Sequence, residues 1–170
     1  MSGNRITFVA RTVLPASAEA VFDWHEAPGA FARLTPPREP VRVLRHEGGI
    51  KDGARVSLRV GPGLLSFRWD LEHRHYQYGR SFTDVQVAGP LRYWKHVHQM
   101  IPQGADACVL EDTIEYEFPL GRLGRLIGGP VMQRKLKRLF AYRHAVTRQA
   151  LAAGSSAAAE EEGSHAARRR

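Results

Sequence analysis

Between residues 41 and 118 the chain is cut by glycine and proline at intervals of about ten residues, which constrains the fold more than any other feature. Six strand-like stretches, 41–46, 54–60, 64–76, 80–87, 91–101 and 107–118, are separated by Gly48-Gly49, Asp52-Gly53, Gly61-Pro62-Gly63, Tyr78-Gly79, Gly89-Pro90 and Pro102-Gln103-Gly104. Connections this short join neighbouring antiparallel strands. A seventh strand is predicted over 4–13, where Ile6, Phe8 and Ala10 alternate with Thr7, Val9 and Arg11. Pro15 ends it. Ser17 then offers a helix N-cap for 18–25, and a second short helix is predicted over 30–34, stopped by Pro36-Pro37.

After Pro119-Leu120-Gly121 the period changes to helical. Leu123, Leu126, Ile127, Val131, Met132, Leu136, Leu139, Phe140, Val146 and Leu151 recur with basic residues between them. Gly128-Gly129-Pro130 predicts an interruption, so a short helix should precede a longer one from Pro130 to about Leu151. A long sheet must cover one face, and this helix is the element large enough to do it. The expected class is therefore α+β: a seven-stranded antiparallel curved sheet wrapped around a long C-terminal helix, with two short helices after the first strand. One domain is expected over 1–152, with 153–170 a disordered tail of alanine, glutamate and arginine.

Composition narrows the partners. No stretch approaches the roughly 18 apolar residues of a membrane span, and the N-terminus lacks the pattern of an export signal. The lone Cys108 sits in a strand-like run and is expected to pack rather than react. Together these features suit a cytoplasmic protein. The formal charge is +8, and the tail from Ala153 onward balances to zero, so the body carries the excess. From Arg122 to Leu151 there are eight basic residues and no acidic one. No nucleic-acid motif accompanies them, so no nucleic-acid partner is expected. A membrane surface or docking partner remains an alternative use for this basic helix. The oligomeric state is left open.

The element order resembles the SRPBCC superfamily, which includes the START lipid carriers, birch-pollen-allergen-like plant proteins and bacterial polyketide cyclases and dehydratases. Three segments carry the likeness: Leu14-Pro15-Ala16-Ser17-Ala18-Glu19-Ala20-Val21-Phe22-Asp23-Trp24, Gly89-Pro90-Leu91-Arg92-Tyr93-Trp94-Lys95-His96-Val97-His98, and Leu110-Glu111-Asp112-Thr113-Ile114-Glu115-Tyr116. It covers roughly residues 4–150 and is closest to a bacterial subgroup found alone or fused to nucleotide-sugar-epimerase-like domains. No dinucleotide fingerprint follows here. The resemblance implies a helix-grip fold with a cavity between sheet and helix, and it leaves the reaction, if any, open.

Strand alternation then selects the cavity wall. Taking the more aromatic face of each strand gives Trp69, His73, Phe82, Asp84, Gln86, Trp94, His96, His98, Asp112 and Tyr116, with Leu136 and Phe140 opposing them from the helix. Buried polar groups are costly unless paired. Three readings follow: a hydrogen-bonded network that stabilises the sheet, a site orienting an oxygen-bearing hydrophobic or amphipathic small molecule, or a catalytic set. In the last, His96 and His98 with Asp84 and Asp112 drive proton transfer in a cyclisation or dehydration. His96-x-His98 could give two metal ligands, with Asp84 or His73 a third, but the spacing is weak and no fourth ligand is in view, so no metal or other cofactor is expected. His25, beside Trp24, is expected either to reach the cavity mouth or to cap its helix.

Overall fold

The computed structural model describes the backbone over residues 3–167 and side-chain surroundings over 3–154. The strands are β1 (Ile6–Leu14), β2 (Val41–Glu47), β3 (Arg55–Val60), β4 (Phe67–Gln77), β5 (Ser81–Ala88), β6 (Tyr93–Pro102) and β7 (Cys108–Glu117). They form one antiparallel sheet in the order β1-β7-β6-β5-β4-β3-β2. The short helices are α1 (Ala18–Glu26) and α2 (Ala30–Arg33), and the long helix is α3 (Gly121–Ala167). Ser17 caps α1 as its position suggests, its hydroxyl accepting from the Ala20 N–H at 3.1 Å. The expected α+β helix-grip architecture is present. Two details shift locally: Gly63–Leu65 forms a single 3₁₀ turn ahead of β4, and β6 begins at Tyr93 rather than residue 91.

The C-terminal region corrects the sequence reading. Gly128-Gly129-Pro130 does not divide it, and α3 is continuous with Pro130 inside. The two glycines permit close packing instead. A Cβ at Gly128 would lie 2.7 Å from the Phe118 ring, and one at Gly129 would lie 3.2 Å from Ile6. Proline leaves the carbonyl four residues earlier without its helical donor. That residue is Leu126, which is 75% exposed, so water is at hand. The inward stripe of α3 is thus Gly124, Gly128, Met132, Leu136, Phe140, His144 and Thr147, at helical spacing. Leu136 and Phe140 are buried as expected, and Leu139 is half-buried. Leu123, Leu126, Ile127 and Val131, which share the apolar period, face outward. The expected tail lies, from 155 onward, outside the residues whose side chains are described.

Helix α3 leans on β1 and β7. There Phe8, Ile114, Tyr116, Leu136 and Phe140 make a hydrophobic core. A second core joins α1 to the far ends of β6 and β7 through Leu14, Val21, Phe22, Met100 and Leu110, and Cys108 is packed within it. The other half of the concave face, along β2 to β5, is not covered by α3, and that asymmetry leaves the cavity.

Candidate functional site

Strand register assembles the polar residues. Pairing sets His73 opposite Asp84, Asp84 opposite His96, and His98 opposite both Phe82 and Asp112. Residues two apart on a strand share a face. The row His73–Asp84–His96 therefore lies beside the row Phe82–His98–Asp112 on the concave side. His96 and His98 each reach both carboxylates.

At the α3 side, His96 Nε2 donates to Asp112 Oδ1 at 2.7 Å. His144 Nε2, from α3, donates to the other oxygen at 2.7 Å. His98 Nδ1 lies 2.8 Å from Asp112 Oδ1 without hydrogen-bond alignment. At the cavity side, His98 Nε2 donates to Asp84 Oδ2 at 3.0 Å. His73 Nε2 stands 2.9 Å from Asp84 Oδ1, and His96 Nδ1 stands 3.5 Å from Asp84 Oδ2. A carboxylate only accepts, so each nitrogen hydrogen-bonded to one carries the proton.

These contacts set the charges. Burial pushes Asp84 upward, but the close imidazoles of His73, His96 and His98 outweigh it and hold its carboxyl well below the usual carboxylate range. Asp112 is likewise held well below that range: burial opposes ionisation, and the nearby His98 charge with hydrogen bonds from His144 and His96 overcomes it. Burial alone would lower His98, yet Asp112 and then Asp84 push it up from 6.5 to about 9. His25 goes the other way. Burial lowers it from 6.5 to about 4, although its Nδ1 meets the Val21 carbonyl at 2.7 Å.

The cavity above this cluster has a volume of about 630 Å³. Trp69, His73, Phe82, Asp84, Trp94, His96, His98, Leu136 and Phe140 all line it. Trp69 and Trp94 meet edge to face at 4.9 Å, and Phe82 stacks on the His98 ring at 4.1 Å. His25 also reaches the cavity, as one of its two expected roles required. Three sequence candidates stand off it. Gln86 is turned aside, its side-chain amide donating to the Leu91 carbonyl at 2.6 Å. Asp112 lies behind the histidines. Tyr116 is buried, with its hydroxyl 3.3 Å from Gln133 Nε2. Two residues escaped the sequence reading: His144, which fastens Asp112, and Arg143, which lines the cavity and donates to the Leu34 carbonyl at 3.2 Å. His144 had a signal, since it follows Phe140 by one helical turn on the inward stripe.

Residues 14–141 match the family model described as "Polyketide cyclase / dehydrase and lipid transport". The chain belongs to that family. This places it in the SRPBCC superfamily, as the three quoted segments indicated. No curated protein matches the sequence. Among solved structures it is similar to a norcoclaurine synthase point mutant from Thalictrum flavum bound to a transition-state analogue: 16% identity, TM-score 0.69, 88% of this chain and 96% of that one. A protein from Thermus thermophilus shares 17% identity at TM-score 0.63, over 85% of this chain and 99% of that one. A nucleoside-diphosphate sugar epimerase from Corynebacterium glutamicum shares 26% identity at TM-score 0.62, over 85% of this family member but 29% of the epimerase chain.

Proposed function

We propose that the cavity binds a hydrophobic or amphipathic organic molecule whose body lies between the Trp69–Trp94 wall and α3, with an oxygen-bearing end toward Asp84. One observation carries this reading. Trp69 Nε1 and His73 Nδ1 are buried without a hydrogen-bond partner among the described residues, and both residues line the same apolar cavity. Unmade hydrogen bonds at buried groups are expensive, and a ligand bearing a hydroxyl or carbonyl relieves them. The volume lies within the range of small-molecule sites. Fluorescence titration with 1-anilinonaphthalene-8-sulfonate tests the proposal. Saturable binding at one site is expected, weakened at least tenfold in Val56→Trp/Leu58→Trp, whose side chains fill the cavity floor. Undiminished binding in that variant overturns it. Were the same site a cyclase or dehydratase, His96→Ala would cost about 10²–10⁴-fold in turnover; a carrier loses only a modest amount of affinity.

A second reading is favoured by the outer face of α3. Leu123, Leu126, Ile127 and Val131 are exposed, and the same side continues into Arg134 and Arg138, each seven residues on from an apolar neighbour. Apolar residues flanked by arginines suit the surface of an anionic bilayer. Co-sedimentation with phosphatidylserine vesicles, lost in Leu126→Asp/Ile127→Asp and at high salt, is the expected result. Equal sedimentation of the variant refutes it.

A further inference from the structure

We propose that Asp84, His96 and His98 form a binding site for a first-row divalent transition-metal ion, with the ion's open positions facing the cavity. The proposal stands on donor geometry and does not depend on the cavity holding an organic molecule.

One donor atom from each residue lies within 4.8 Å of the others. His98 Nε2 and His96 Nδ1 stand 3.0 and 3.5 Å from Asp84 Oδ2. Ligands about 2.0–2.1 Å from a tetrahedral zinc ion sit roughly 3.3 Å from one another, so small side-chain rotations suffice to close on an ion. Two imidazoles and a carboxylate on one face suit zinc or iron(II) better than calcium or magnesium, which favour all-oxygen shells. Three protein ligands leave positions open, and all three of these residues line the 630 Å³ cavity.

The surroundings match what such a site needs. Metal-bound histidines usually give their second nitrogen to a carboxylate, which fixes the ring and its tautomer. His96 does so with Asp112 at 2.7 Å, and His98 Nδ1 approaches the same oxygen at 2.8 Å. Asp112 is itself fastened by His144, and Asp84 is approached by His73 at 2.9 Å. The ligands, on β5 and β6, are thus backed by residues from β4, β7 and α3. An independent sign comes from an unmade bond. His73 is 6% exposed, yet its Nδ1 has no hydrogen-bond partner among the described residues. A network built only to satisfy itself would not leave this nitrogen unpaired. The two buried carboxylates also supply the negative charge that a dication requires, and the ion displaces the proton that His98 Nε2 presents to Asp84.

The test is calorimetric titration of the chelator-treated full chain with zinc chloride, repeated with cobalt(II), whose visible bands report ligand geometry. Binding of one equivalent is expected. Asp84→Asn and His98→Gln should each weaken it more than tenfold, and His73→Gln, acting through Asp84, by about 10–100-fold. Cys108→Ser should leave it unchanged. Absence of saturable binding overturns the proposal. So does binding that Asp84→Asn and His98→Gln leave intact, which assigns the ion to surface histidines. If either variant fails to fold, a cobalt-soaked crystal of the unaltered chain decides through anomalous density: a peak among the three residues supports the site, and a peak elsewhere or none overturns it. The dye titration above needs no metal, so the two proposals fail separately.

Discussion

Asp84 and Asp112 lie two strands apart on the same concave face and share His96 and His98, yet their surroundings differ. The Asp112 side chain is 4% exposed and sits under α3, with short hydrogen bonds from His96 and His144. The Asp84 side chain is 15% exposed and borders the cavity, with longer contacts, His73 and His98 at 2.9 and 3.0 Å. The sealed carboxylate ties sheet to helix. The open one is placed to meet whatever enters. The difference arises from the lean of α3 toward β1 and β7, which covers the last strand and leaves β5 bare.

The largest effect is expected at the sealed side. Asp112→Asn removes the charge that three histidines face, and breaking a buried ion pair typically costs about 3–5 kcal/mol. Urea unfolding should show the midpoint falling with the slope unchanged. The partners sharpen the contrast. His144→Gln leaves an Asp112 oxygen buried without its donor and should cost about 1–3 kcal/mol. His73→Gln, on the cavity side, should cost about 1 kcal/mol or less, because Asp84 keeps His96 and His98 as partners. Equal losses in these two variants would erase the distinction.

A smaller effect is expected from pH. In the chelator-treated protein His98 is raised to about 9 against an unfolded value of 6.5. Its contribution to stability is therefore complete below 6.5 and is lost as pH rises through about 9. The thermal midpoint should fall across that window in the unaltered protein and not in His98→Gln. Asp112 is the stronger of the partners raising His98. Imidazole titration by NMR should consequently place His98 lower in Asp112→Asn than in Asp84→Asn.

Much of this was legible in the sequence. Period-two alternation put Trp94, His96, His98 and Met100 on one face of β6, and the structure buries all four while Lys95 and Val97 stay half-buried on the other. Lys95 enforced that choice, since its ammonium has no place in a core. What alternation cannot supply is register. The β4–β5 pairing shifts between Asp70 and Leu71 and again between Arg74 and Gln77, so the alignment of His73 with Asp84 follows from bulges that no local pattern announces. His144 was missed for a different reason: in a helix rich in arginine and lysine a histidine reads as part of the solvated face. Gly128-Gly129-Pro130 misled because glycine carries two meanings, and there close approach to Phe118 outweighs chain breaking.

The division of labour between the two carboxylates is tested most directly by measuring urea stability and zinc or dye affinity on Asp84→Asn and Asp112→Asn side by side. Asp84→Asn should remain within about 1–2 kcal/mol of the parent while losing affinity more than tenfold. Asp112→Asn should lose about 3–5 kcal/mol. Stability lost equally in both, or affinity unchanged in Asp84→Asn, would contradict the account.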